Sequence, residues 1–368
     1  MKVAIVHDYI KEYGGAEGVL EALHEVFPKA PIYTLVYLPN FLGPHKEKFK
    51  KMDIRPSFLQ YAPLRSKLIS PFRLIAPSVF RSFNFSRYDI IIVSATGAFT
   101  PNTIKKKKAI QICYCHTPPR YLYGFATARE WKKNPIIKVL GEIANHFLRI
   151  TDYNSSKNVD FFIANSKNVA GRIEKFYRRK SNVIYPPIDV NKQEIKMVNQ
   201  EDYYLTGGRL ARPKHVDLVV KTFTKLNLPL KVFGKPFAGY GEELRELAGK
   251  KVEFLGEVTD KEKLRLMTDA KAFVFASEDE DFGITPVEAM GVGTPVVAYR
   301  SGGVLESVEE GKAGLFFDEL TTESLGKTVE KLNRLKIDPQ VCMRQAEKFS
   351  KERFKHEILN FVDSRSKI

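Results

Sequence analysis

The sequence predicts an α/β fold of two parallel-sheet domains, on three observations. Short apolar runs alternate with amphipathic helical patterns along the whole chain. The runs are apolar almost without interruption, as expected of strands covered on both faces, the condition of a parallel sheet. Finally, 368 residues exceed one ordinary domain, and a hydrophobic share of 43% supplies apolar material for two cores.

The expected strands follow in order. VAIV (3–6) opens the chain, and 89–94, 109–116, 159–166 and 182–186 continue the first set. The second set is 203–208, 230–234, 252–256, 272–277 and 294–299. Helical periodicity is clearest over 14–27, 215–226 and 262–270. The boundary between domains falls at YPPIDV (185–190), where two prolines close a strand and a polar stretch, 191–202, precedes the next. The domains are therefore 1–185 and 186–349.

Composition excludes several classes. The first apolar run is broken by His7 and Asp8, so it reads as a buried strand rather than a secretion leader. No run approaches the roughly 18 uninterrupted apolar residues that cross a bilayer. Cys113 and Cys115 share one face of a strand, and with Cys342 they read as core thiols of a reducing, cytoplasmic compartment. The net charge of +16 is concentrated: residues 41–108 carry fourteen Lys and Arg against three acids. Such a face expects an anionic partner, a membrane, a nucleic acid or a phosphorylated substrate. It holds no nucleic-acid-binding motif, so nucleic acid is not expected.

The segment SEDEDFGITPVEAMGVGTPVVAYRSGG (277–303) carries the chemistry. A strand ends there in a loop, and the sequence predicts a helix starting at Thr285-Pro286, with Thr285 as N-cap and Glu288 closing a capping box. A helix start at the carboxyl end of a parallel strand favours a phosphate, bound by the amides of Gly283, Ile284 and Thr285. The turn Ser301-Gly302-Gly303 should open beside it. Glu280 and Glu288 repel phosphate and suit sugar hydroxyls instead. Arg209 and Lys214, in GGRLARPK after another strand, supply cations for a diphosphate. These parts describe a nucleotide-sugar site.

The spacing Glu280-x7-Glu288 resembles the E-x7-E motif of retaining glycosyltransferases of family 4. Similar too are Gly14-Gly15-Ala16-Glu17 to the family's first glycine loop, His116-Thr117-Pro118-Pro119 to its cleft histidine segment, and Gly208-Arg209-Leu210 with Lys214 to its phosphate clamp. The resemblance implies the GT-B fold, two Rossmann-like domains facing a cleft, with a terminal helix (350–368) completing the first domain. It implies that Arg209 and Lys214 neutralise the leaving diphosphate, that Glu288 holds the ribose and Glu280 the hexose, and that Gly283 to Thr285 offer amides. It places His116 near the sugar, Gly15 near the phosphate or acceptor, and Gly256, Glu257 and Val258 beside the base. His215 stands where the family has glycine.

The opening VHDYI…GGAE…FPKAPIYTL is similar to bacterial and archaeal mannosyltransferases of surface-polysaccharide and lipid-linked glycan assembly. That resemblance implies transfer of mannose from GDP-mannose; a UDP-sugar donor, or a non-enzymatic basic Rossmann protein, is the alternative. Asp279-Glu280-Asp281 imitates a metal-binding D-x-D, but a loop role is expected and no metal is required. A glycoside hydrolase would need no phosphate clamp. His7 and His24 are read as structural. In the basic stretch 55–83, Arg65, Lys67, Arg73 and Arg81 alternate with apolar residues. It reads either as a pair of helices with solvated edges or as a face for an anionic membrane at the inner side.

Overall fold

The structure, a computed structural model, describes residues 1–125, 134–188, 202–237 and 239–366. Most of the polar stretch after the boundary, 191–201, lies outside the described residues. The described residues form two compact units, one up to Pro187 together with 351–366, the other from Ile188 to Ser350.

The first unit contains β1 (Val3–His7), α1 (Gly15–Val26), β2 (Ile32–Thr34), α2 (Lys46–Phe49), β3 (Ile54–Pro56), α3 (Ala76–Ser82), β4 (Ile90–Ala95), β5 (Ile110–Cys115), α4 (Pro135–Ser156), β6 (Phe161–Ala164), α5 (Lys167–Tyr177) and β7 (Ser181–Val183). Its sheet is parallel, in the order β3-β2-β1-β4-β5-β6-β7. Side chains alternate between two cores. Ala4, Val6, Ile91, Val93, Cys113 and Cys115 face one, with Val79, Phe80, Phe99 and Ile173 above them. Ile5, Ile90, Ile92, Ile112 and Tyr114 face the other, with Leu20 and Leu23 of α1.

The second unit contains β8 (Tyr204–Gly207), α6 (Val216–Leu226), β9 (Leu230–Phe233), α7 (Tyr240–Glu246), β10 (Val252–Gly256), α8 (Asp260–Asp269), β11 (Phe273–Phe275), α9 (Ile284–Gly291), β12 (Val296–Tyr299), α10 (Val304–Ser307), β13 (Gly314–Phe317), α11 (Thr322–Arg334) and α12 (Pro339–Glu347). Its parallel sheet runs β10-β9-β8-β11-β12-β13. The last helix, α13 (Lys351–Ser366), belongs to the first unit, where Phe354, Ile358 and Val362 fill the core beside α1. Lys351 closes an ion pair with Glu25 of α1 at 2.5 Å.

Ten expected strands are present, and three were not expected: β2, β3 and β13. β2 and β3 are three residues long each. The pair of helices expected over 55–83 is not there. That stretch holds the end of β3, two 3-10 turns (Phe58–Tyr61 and Pro71–Leu74) and the short α3. Pro56, Pro63, Pro71 and Pro77 explain this, because each lacks an amide donor and bars a long helix through it.

Candidate active site

In a doubly wound sheet the ligand sits beyond the strand ends where the order reverses. In the second unit that point lies between β8 and β11. The loop after β8 runs from Gly208 through a 3-10 turn at Arg212–Lys214. It approaches the chain after β9 so closely that a Cβ on Gly234 (φ +120°) would stand 1.8 Å from the Gly208 carbonyl oxygen. His215, in the place of the family's glycine, has φ +47° and caps α6. The departure thus falls on a left-handed residue, a conformation that costs a non-glycine about 1 kcal/mol.

The loops after β8 and β11 are joined. The Glu278 amide donates to the Pro213 carbonyl at 3.1 Å. The Lys214 ammonium bonds Glu280 Oε2, and Ser277 Oγ donates to the same oxygen at 2.7 Å. Glu280 is thereby oriented from both sides while 17% of its side chain stays accessible. The turn after β12 closes on this loop as expected. The Gly303 amide donates to the Glu280 carbonyl at 2.8 Å, and the Asp279 amide to Ser301 Oγ at 3.2 Å. A Cβ on Gly302 (φ +72°) would lie 2.4 Å from the Glu280 carbonyl oxygen, so only glycine permits this approach.

The start of α9 corrects the sequence reading. The helix begins at Ile284, with Gly283 at φ +88° as N-cap, not at Thr285. The left-handed glycine turns the chain into the helix two residues early, so Thr285 lies in the first turn and Glu288 closes no capping box. Instead, Glu288 Oε1 accepts from Lys263 Nζ of α8 at 2.8 Å. Burial opposes the charge on Lys263, but Glu288 and Asp260 outweigh it and raise its pKa. Arg209 is exposed on the β8 loop. Gly256 ends β10 on the same sheet edge, with Glu257 and Val258 following it, and the Gly234 amide donates to the Gly256 carbonyl at 2.6 Å.

In the first unit the order reverses between β1 and β4. Ser94 Oγ lies 3.0 Å from His7 Nδ1 and 2.9 Å from His116 Nε2. His7 Nε2 is 3.7 Å from Glu17, whose other oxygen accepts the Gly14 amide at 3.0 Å. Ser94 can donate to one of the two rings while it accepts from the other, so the hydroxyl links His7 and His116. Burial first, and His7 second, push the His116 pKa down to about 3, so the ring is neutral. Gly15 begins α1 next to Glu17.

The two edges thus assemble Lys214, Glu280 and the start of α9 in one unit, and Gly15 and His116 in the other. The sequence did not single out Ser94, Ser277 or Lys263, which bond His116, Glu280 and Glu288; His7, read as structural, bonds Ser94. A serine ending a buried strand (Ser94) is a readable signal; Lys263 carries none.

Two doubly wound units with polar loops at their strand-order reversals define the class: a GT-B protein. Residues 13–192 match the model described as Glycosyltransferase Family 4, and residues 187–349 that of Glycosyl transferases group 1. The chain is 25% identical to human Alpha-1,3/1,6-mannosyltransferase ALG2 over 316 residues, 75% of this chain and 73% of that protein. It is 23% identical to the mouse protein of that name over an alignment of 399 positions that covers 95% of this chain and 93% of the other. Its fold is similar to that of Anabaena Alr3699/HepE solved with UDP-glucose, at a TM-score of 0.71 and 18% identity, over 99% of this chain and 100% of the other. The chain belongs to the family 4 glycosyltransferases, and it is an enzyme of that class.

Proposed function

We propose that this glycosyltransferase moves mannose from GDP-mannose to a lipid-linked glycan, with retention at the anomeric carbon. The observation that carries the sugar and acceptor is the similarity to alpha-mannosyltransferases, which extends over 95% of the chain. Arg209 and Lys214 neutralise the leaving diphosphate, helped by the amides of Gly283, Ile284 and Thr285. Glu288 accepts from the ribose and Glu280 from the hexose. Gly256 to Val258 border the base. His116 lies near the sugar, and Gly15 serves the phosphate or acceptor. The site is built to stabilise a departing diphosphate, and one such donor is often worth about 3 kcal/mol. No metal ion is required in this scheme.

A thermal-shift panel of GDP, GDP-mannose, UDP and UDP-glucose tests the donor. Stabilisation by the guanosine ligands alone is expected. A response to the uridine ligands alone supports the second reading, a UDP-sugar donor, favoured by the likeness to a protein solved with UDP-glucose.

The enzyme works as a peripheral protein on the inner face of the membrane in this reading. Among the described residues no helix is long and apolar enough to cross a bilayer. The excess of Lys and Arg over 41–108 supplies attraction to anionic lipid, at about 1 kcal/mol per basic residue near the surface. Lys67 and Arg81 are exposed, whereas Arg73 stacks on the Tyr121 ring and donates to the Ala98 carbonyl at 3.2 Å. Charge reversal at Lys67 and Arg81 should therefore weaken vesicle binding at low salt without unfolding the protein.

A further inference from the structure

Helix α4 has its polar side inward and its apolar side outward. Asn145, Asp152, Ser155 and Ser156 are buried with Leu148. Ile136, Val139, Leu140, Ile143, Phe147 and Ile150 are 46–69% exposed. Their spacing places them on one stripe of the helix. Surface helices normally carry the reverse arrangement.

Directional bonds hold the inner side. Asp152 Oδ2 accepts from the hydroxyls of Tyr123 at 2.8 Å and Tyr177 at 2.9 Å. Arg149 Nε donates to the Leu122 carbonyl at 2.7 Å. The helix cannot roll to bury its stripe without breaking these bonds inside the protein, where leaving them unmade is costly. Removal of the stripe from water must come from outside the unit.

Charge selects what covers it. α4 exposes Lys138 near its start, on the side away from the stripe, and Lys157 follows its last turn on the edge of the stripe; its only acids are Glu142 and the buried Asp152. α4 packs on the turn Pro101–Thr103, and so does α3. Leu74 and Ile75, just before α3, are 61% and 45% exposed, and Arg81 at its end is exposed. Exposed apolar residues bordered by cations fit the boundary between acyl chains and anionic headgroups. At 22 residues the helix is about 33 Å long, enough to lie in that plane over several lipids.

We propose that the outward stripe of α4 is the surface by which this chain docks on an anionic membrane. The proposal rests on the peripheral-membrane reading above and assigns its apolar contact.

The test compares the full chain with the variant Leu140→Gln/Ile143→Gln/Phe147→Gln in sedimentation with phosphatidylglycerol-containing vesicles at low salt. All three sites are exposed, and glutamine keeps the helix. The wild type should sediment, and the variant should lose binding by about tenfold or more at an unchanged melting temperature. In a second measurement, Ile143→Cys carries an environment-sensitive fluorophore; Cys113, Cys115 and Cys342 are buried and stay unlabelled. Its emission should shift to the blue on these vesicles and resist a water-soluble quencher. Equal binding by wild type and variant, with no spectral shift, overturns the assignment to α4 but leaves the membrane reading standing. A wild type that ignores anionic vesicles overturns both. A lipid-free dimer of the wild type that the variant cannot form, with no vesicle binding, makes a second copy the occupant and overturns the proposal.

Discussion

Lys263 Nζ lies 2.8 Å from Glu288 Oε1 and joins α8 to α9. The pair directs the Glu288 carboxylate and leaves its second oxygen to meet a hydroxyl. Glu288→Ala should therefore weaken nucleoside-diphosphate binding about tenfold or more, since a hydrogen bond to a charged group is worth about 1.5–3 kcal/mol. Lys263→Met should lose a smaller part of that affinity, because the carboxylate remains but is less well oriented. Because Glu288 is not a cap, no cap-related loss of stability is expected. Isothermal calorimetry decides: wild-type affinity in Glu288→Ala removes it from the nucleotide site.

Glu280 should behave differently. With its side chain held by Lys214 and Ser277, it is offered to the hexose in the proposed scheme. Glu280→Ala should cut use of the sugar donor while leaving nucleoside-diphosphate affinity near the wild-type value. If calorimetry gives the opposite pattern for the two glutamates, the donor lies the other way round.

The clamp has a larger expected effect. Arg209→Ala or Lys214→Ala should lower transfer on the order of a hundredfold or more, with circular dichroism unchanged. Near-normal turnover in both variants would place the diphosphate elsewhere.

Asp279 and Asp281 lie in the loop that Ser301 and Gly303 hold. Activity should survive excess EDTA, since two cations and a helix start already supply positive charge. Abolition by EDTA with recovery on adding manganese or magnesium would make those aspartates ligands.

Asp152 predicts a pH dependence. Burial first, offset in part by the Tyr123 and Tyr177 hydroxyls, pushes its pKa from 3.8 up to about 7. Between those values the native protein binds the proton that the unfolded chain has lost. Wild-type stability should thus carry a loss as pH rises through this window, with a slope approaching about 1.4 kcal/mol per pH unit. Asp152→Asn keeps an acceptor for both tyrosines and lacks the loss, so its stability relative to wild type should grow from pH 4.5 to 7.5 in urea titrations. Parallel curves would mean that Asp152 is ionised throughout.

Much of this protein was legible in the order of its residues. Buried parallel strands announce themselves as unbroken apolar runs, as β4 and β11 do, because each strand must satisfy both faces locally. Glycine turns beside acids and cations, as at Gly208–Lys214 and Glu280–Gly303, are equally local, and they marked one candidate site and the family. The strands β2 and β3 were not read. Only the tertiary structure decided the rest. Ser94 lies 87 residues from His7 in the chain, and the β1–β4 pairing, not any motif, brings them to 3.0 Å. Lys263 meets Glu288 because α8 packs on α9. The outward stripe of α4 was not legible in the sequence, since periodicity shows that a helix has an apolar side but not which way it turns. Tyr123, Tyr177 and Leu122 set that direction by bonding the polar side, and contacts between such distant residues follow from strand order and packing rather than from local pattern.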